Sequence, residues 1–311
     1  SPGASGVTAP ERMLRTRVLT AALLAPIILV VSLLGEPWLS LLVGLVIFLA
    51  LVEVIGLLDA AGFEPPQVLM LASGIAVAGA TIVAANQGFV GALLSSLLSA
   101  TTIPGLPVVA FTAAALVLGL ASFTRPDPRA GFLTWASSTF GVAYVALLAP
   151  FIVLVAHLGP SDGGPGTAVG IIGLRAGSAW MLCLLLVVWG YDTGAYAAGR
   201  WFGERQLIPH ISPSKTIEGV FGGIAIAILG AAIGTLLIGI PVWHAVFIGA
   251  VVGVAAQAGD LAESLLKRAA GRKESGYLIP GHGGMLDRLA SFLFAAPGLA
   301  GYALLVVGAG T

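Results

Sequence analysis

Three aspartates sit where an apolar chain would ordinarily exclude them. Asp192 lies in Trp189-Gly-Tyr-Asp-Thr-Gly-Ala-Tyr196, at the end of one hydrophobic run. Asp260 lies in Gly259-Asp-Leu-Ala-Glu-Ser-Leu-Leu-Lys-Arg268, at the end of another, and Asp287 opens a third. An ionised side chain at the centre of a membrane helix costs about 2.5–3.5 kcal/mol on insertion scales, so its presence needs a reason. With a helical period of about 3.6 residues, positions 260, 263, 264 and 267 share one face. That face carries Asp260, Glu263, Ser264 and Lys267. Carboxylates clustered in a low dielectric repel one another and take up protons unless a cation neutralises them. With oxygen donors and no clustered His or Cys, the fitting cation is hard: Mg²⁺, Mn²⁺ or Ca²⁺. The other reading of this face is a structural ion pair between Lys267 and Asp260 or Glu263. Glu53 stands alone near the end of its own apolar run, open between structure and function.

Cations and flexible turns flank the acids. Ser212, Ser214, Lys215 and Thr216 precede an apolar run. Hydroxyls, backbone N–H groups and a lysine at a helix N-terminus form an anion site, although Thr216 or Ser214 could equally be a plain helix cap. Farther on, Lys267, Arg268, Arg272 and Lys273 lead into Pro280-Gly-His-Gly-Gly284. Gly283 and Gly284 let backbone N–H groups approach an anion closely. His282 has two readings, a phosphate-orienting or acid/base group and a turn histidine bonded to backbone. Together the pattern points to phosphate binding at a metal-dependent site.

These residues must be held by membrane helices. Of 311 residues, 58% are hydrophobic and 9% charged, with a net charge of zero. A soluble domain carries about 25% charged residues, and a disordered chain is far less apolar. The runs are apolar on every face, unlike the alternating strands of a β-barrel. The expected fold is therefore all-α, a polytopic membrane protein of about nine spans. They lie near 17–34, 38–58, 67–85, 104–122, 134–157, 177–197, 217–240, 243–266 and 288–308. Gly88–Ala100 is a short apolar stretch that could be interfacial or re-entrant. With the N-terminus cytoplasmic, 13 of the 14 Lys and Arg fall on the cytoplasmic side and only Arg175 outside, as the positive-inside rule requires. Residues 1–16 are expected as a disordered cytoplasmic tail rather than a signal peptide, 17–175 as a scaffold and 176–311 as the catalytic region. The Gly/Pro-rich loop 158–175 reads as an external turn. Cys183, the one cysteine, excludes an internal disulfide and reads as a small lipid- or core-facing side chain. Small-residue runs such as Gly222–Gly234 can pack closely, which leaves a homodimer open. No nucleic-acid partner is expected.

At these motifs the sequence resembles the phosphatidate cytidylyltransferase (CDP-diacylglycerol synthase) family. That family's signature joins Ser-x-x-Lys-Arg, Lys-Asp, Pro-x-His-Gly-Gly and Asp-Arg-x-Asp. Here the corresponding stretches are Ser264-Leu-Leu-Lys-Arg268, Lys273-Glu274, Pro280-Gly-His-Gly-Gly284 and Asp287-Arg-Leu-Ala290. The stretches from Asp192 and from Ser212 also match, and the resemblance covers about 189–291. Glu274 replaces an Asp with a longer arm, and Ala290 removes the closing carboxylate, so impaired activity is the expectation.

The resemblance implies that CTP and phosphatidate react to CDP-diacylglycerol and pyrophosphate, at the cytoplasmic side of an inner membrane. On that basis Asp260 and Asp287 are expected to bind Mg²⁺, with Asp192 and Glu263 completing the shell and a second metal ion left open. Lys215, Lys267, Arg268 and Lys273 are expected on phosphates, with Ser212, Ser214 and Ser264 as hydroxyl partners. A CTP-dependent lipid or polyprenol kinase and an ion-coupled transporter are the rival readings. Against the transporter, the acids gather at the ends of the spans rather than at the midplane.

Overall fold

The computed structural model describes residues 9–85, 105–159, 168–169, 172–281 and 283–308. The chain begins with α1 (Ala9–Leu34), α2 (Trp38–Ala60), α3 (Gln67–Ala85) and α4 (Leu106–Ser122). Next, α5 (Pro128–Val142) continues through a π-helical turn, Ala143–Leu147, into the short α6 (Phe151–Val155). A two-residue ribbon, β1 (Ala168–Val169) with β2 (Leu174–Arg175), leads into α7 (Ala176–Phe202). The hairpin of β3 (Gln206–Ile208) and β4 (Ser212–Thr216) precedes α8 (Ile217–Ile238) and α9 (His244–Ala269). The chain closes with α10 (Leu286–Tyr302), extended by a second π turn, Ala303–Val307.

This is an all-α polytopic membrane protein apart from two short ribbons. Seven helices are long and apolar enough to cross a membrane, the α5–α6 run Pro128–Val155 counting as one. The first and fourth expected spans correspond to shorter apolar helices, Ala22–Leu34 and Leu106–Ser122. Helix α1 already begins at Ala9, inside the stretch assigned to a tail. Gly88–Ala100 lies outside the described residues.

The surface chemistry explains why these helices need a lipid surround. On α2, Leu41, Leu45, Phe48 and Val52 are exposed at helical spacing, while Leu39, Val43, Ile47, Leu51, Val54 and Leu58 are buried. Both stripes are apolar, so hydrophobicity alone cannot choose which faces inward; close packing does, as between membrane helices generally. One close example is α7 against α8. A side chain at Gly230 would put its Cβ 2.7 Å from the Leu186 carbonyl oxygen, and Gly234 lies directly on Cys183. Small residues of 222–234 thus serve the packing of α8 against α7 within the chain. Cys183 is fully buried, which makes it core-facing rather than lipid-facing.

Loops at one end of the bundle are tied together. Arg125, after α4, forms an ion pair with Glu64, after α2. The Thr134 hydroxyl donates to the Phe63 carbonyl at 2.7 Å. Those two loops therefore share a side, as the distribution of basic residues requires.

Candidate active site

Helix α9 supplies the central face. Glu263, Ser264 and Lys267 are buried on it. Asp260, one turn nearer the middle of the helix, keeps 40% of its side chain exposed. The i,i+4 pair Glu263–Lys267 closes at 2.8 Å, and the same ammonium reaches Asp287 Oδ1 at 2.6 Å. In this triad the side chains of Glu263, Lys267 and Asp287 are 2%, 11% and 4% exposed. Three ionisable side chains are tolerable there because each has a polar partner in contact.

Asp287 is held from its other side too. Its Oδ2 accepts from Ser275 N at 3.0 Å, Ser275 Oγ at 2.8 Å and Gly284 N at 2.8 Å. The loop from α9 to α10 is thus folded around one carboxylate. Gly283, at φ +80°, adopts the left-handed conformation this requires. A Cβ there would strike the carboxylates of both Glu274 and Asp287.

A second carboxylate completes the wrap, and it comes from the scaffold half. Glu53 on α2 accepts from Met285 N and Leu286 N, both at 2.8 Å, and from Ser275 Oγ at 2.8 Å. It caps the otherwise unpaired N–H groups at the start of α10. A Cβ on Gly276 or Gly284 would collide with it. Ser275 Oγ lies 2.8 Å from both Glu53 and Asp287 and shares its one proton between them, so the two acids form one hydrogen-bonded unit.

The other cluster is more open. Lys215, at the end of β4, pairs with Asp260. Asp192 on α7 lies within electrostatic reach of Asp260, Lys215 and Arg288. Thr216 Oγ1 accepts from Gly219 N at 3.1 Å, which makes it the cap of α8 and leaves Ser212 and Ser214 on the hairpin beside Lys215. Arg268 ties α9 to that hairpin, its Nε donating to the Ile211 carbonyl at 3.1 Å. Lys273 is exposed on the following loop.

The geometry therefore gathers Asp192, Lys215, Asp260, Glu263, Ser264, Lys267 and Asp287 at one end of α7, α9 and α10. It departs from the sequence expectation at three points. Lys267, expected on phosphate, is clamped between two carboxylates, because Glu263 one turn back and Asp287 across the helix pair leave it no free face. Asp287, expected on metal, has both oxygens filled by protein donors. Among the described residues no three His, Cys, Asp or Glu side chains converge on one metal position. The expected four-carboxylate shell is therefore not assembled, since Glu263 and Asp287 turn toward Lys267. His282 lies outside the described residues.

Sequence reasoning left Glu53 open and passed over Ser275. The signal for Glu53 was its cost: a carboxylate in an apolar span must have partners. Ala290, where the family pattern has Asp, is buried; its carbonyl oxygen is where a Cβ on Gly259 would strike, so α9 and α10 touch closely there.

A family model described as the cytidylyltransferase family matches residues 15–306. The chain is 45% identical over 123 residues to a protein named phosphatidate cytidylyltransferase from Staphylococcus epidermidis, covering 39% of this chain and 47% of the relative. The protein of that name from Bacillus subtilis is 46% identical over 123 residues, 39% of this chain and 46% of its own. The one from Synechocystis is 44% identical over 112 residues, 35% of this chain and 38% of its own. The chain spans about half the length, or less, of the curated relatives it matches.

Proposed function

Because this chain belongs to the cytidylyltransferase family, we propose that it transfers a cytidylyl group from CTP to phosphatidate, giving CDP-diacylglycerol and pyrophosphate. The observation that carries the proposal is the gathering of acids and cations at one end of three membrane helices, where a lipid phosphate and a soluble nucleotide can meet. The names of the relatives support the same substrates.

In the reaction a phosphate oxygen of phosphatidate attacks the α-phosphorus of CTP in line. The bond from that phosphorus to the β-phosphate bridging oxygen breaks, and pyrophosphate leaves. Little covalent chemistry falls to the protein, so its work is positioning and charge neutralisation. Lys215, Arg268 and Lys273 stand on or next to the hairpin and the loop after α9, and are assigned to the phosphates, with Ser212 and Ser214 as hydroxyl donors. Lys267 neutralises Glu263 and Asp287 and so fixes the loop that carries Gly283 and Gly284. Glu53 fixes the same loop from α2.

The donors fit a hard cation in part. Asp192 and Asp260 are the carboxylates left outside the Glu263–Lys267–Asp287 triad, Asp260 paired only with Lys215 among the described residues, and Mg²⁺ commonly binds one or two carboxylates together with substrate phosphates. Asp192 and Asp260 would hold it, with Lys215 released from Asp260 toward phosphate. When bound, such an ion neutralises charge on the phosphates and on the leaving pyrophosphate. Ala290 removes a carboxylate one turn from Asp287, and turnover below that of a chain with Asp at this position is the expectation. The site is assigned to the cytoplasmic face, on the strength of the basic residues gathered around it.

The test is purified chain in detergent with CTP, phosphatidate and Mg²⁺, reading pyrophosphate and cytidine-labelled lipid together. Both should appear one to one, and Asp260→Asn should lower their rate at least a hundredfold. Phosphorylated lipid without cytidine would assign a kinase instead. Unchanged turnover in Asp260→Asn would remove that residue from the site.

A further inference from the structure

A groove opens between α1, α2, α6, α7 and α10. Ile28, Val43, Val46, Met181, Leu185 and Phe292 are among its lining, which is apolar except for Ser32 and Arg288. Glu53 bonds to residues 285 and 286, which sets those levels equal. Leu39, at the far end of the groove, lies 14 residues back along α2 from Glu53. At a rise of 1.5 Å per residue the groove therefore runs about 20 Å, somewhat more than the ~15 Å of hydrocarbon in one leaflet.

Arg288 stands at the head of this groove, at the level where the polar site begins. Its side chain is exposed and makes no hydrogen bond or ion pair within 4 Å among the described residues. Its charge nevertheless reaches Asp192, as do the charges of Asp260 and Lys215. A guanidinium with free donors, set between a slot of leaflet depth and a metal-compatible pair of acids, suits a group that is anionic at one end and hydrocarbon at the other.

We infer that this groove is the acyl-chain subsite for the lipid substrate, with Arg288 holding the lipid's phosphate against the Asp192–Asp260 cluster. The inference rests on phosphatidate being the acceptor. It adds where the lipid enters, which chain surface it contacts and which cation separates it from the nucleotide.

The probe is phosphatidate carrying a diazirine at the end of one acyl chain, photolysed on the full chain in detergent without CTP. Adducts are expected on the deep lining, at Leu39, Ile152 and Met181, and excess unlabelled phosphatidate should suppress them at least tenfold. A diazirine fatty acid lacking the phosphate should label these positions at least tenfold less. Arg288→Gln should raise KM for phosphatidate at least tenfold while KM for CTP moves less than twofold, and Arg288→Lys should recover part of that loss. Adducts confined to other helices would overturn the groove. Adducts that excess phosphatidate does not displace, or equal labelling by the fatty acid, would make it a structural lipid slot and overturn the subsite. Labelling needs no turnover, so a chain that labels as stated but forms no CDP-diacylglycerol would sink the proposed reaction and leave the lipid site standing.

Discussion

Lys267 makes sense only as one member of a triad. Removing its ammonium leaves Glu263 and Asp287 facing one another in a buried setting, and breaking such a pair costs about 3–5 kcal/mol. Lys267→Ala should therefore lower the melting temperature sharply and abolish turnover. Arg129→Ala, in the exposed first turn of α5, should stay within about 0.5 kcal/mol. Thermal unfolding in detergent distinguishes the two, and equal small shifts would contradict the triad. Glu53 supports a subtler expectation. Glu53→Gln keeps the shape but gives the side chain one acceptor oxygen where the carboxylate has two, against three donors. The loss should be about 1–3 kcal/mol, with a fall in kcat larger than any change in KM for CTP. A KM effect alone would place Glu53 in substrate binding instead. The shared face of Asp260, Glu263, Ser264 and Lys267 was legible in the sequence, because helical spacing is strict. The closure of Glu53 on Ser275 was not: 222 residues separate them, and no periodicity links two different spans. The filling of Asp287 Oδ2 by N–H groups of an irregular loop was equally invisible, which is why that residue was assigned to metal.

At the level of elements, the positions of the spans were readable because about 20 apolar residues are needed to cross hydrocarbon. All nine expected segments fall on helices, though two are shorter than a full crossing. The β3–β4 hairpin was not expected, since Gln206–Thr216 lacks a two-residue Asn-Gly or Asp-Gly turn signal. The start of α1 was missed because Arg12, Arg15 and Arg17 make its first turns polar. Pairing between helices was also beyond the sequence, since every run is apolar on all sides. The glycines of α8 decide it for α7. Gly230→Leu should drive the two helices apart at Leu186 and cost more than the roughly 1–3 kcal/mol typical of overpacking, because the obstacle is backbone. Gly239→Ala, at the end of α8 with φ +87°, should cost about 1 kcal/mol through strain alone. Unfolding midpoints in the same detergent test the ranking.

For the whole molecule, the testable quantity is orientation. Cys183 is buried, so the parent chain should resist membrane-impermeant maleimides and serve as its own background. Arg129→Cys should then react only from the cytoplasmic side, and Ile172→Cys, exposed just before β2, only from the outside. Labelling of both from one side would reverse or break the assigned topology. The ion pair between Arg125 and Glu64 already requires the loops after α2 and α4 to share a face. This placement decides whether CTP has direct access to Lys215 and Asp260.

The bond from Glu53 to the head of α10 also has a history in time. The acceptor is made 233 residues before the last of its donors. At about 5–20 residues per second of synthesis, the nascent chain carries an unanswered acid in its second helix for roughly 10–50 s. A ribosome that stalls before residue 275 would release a product with that acid still bare, a mark by which membrane quality control could tell an unfinished copy from a finished one.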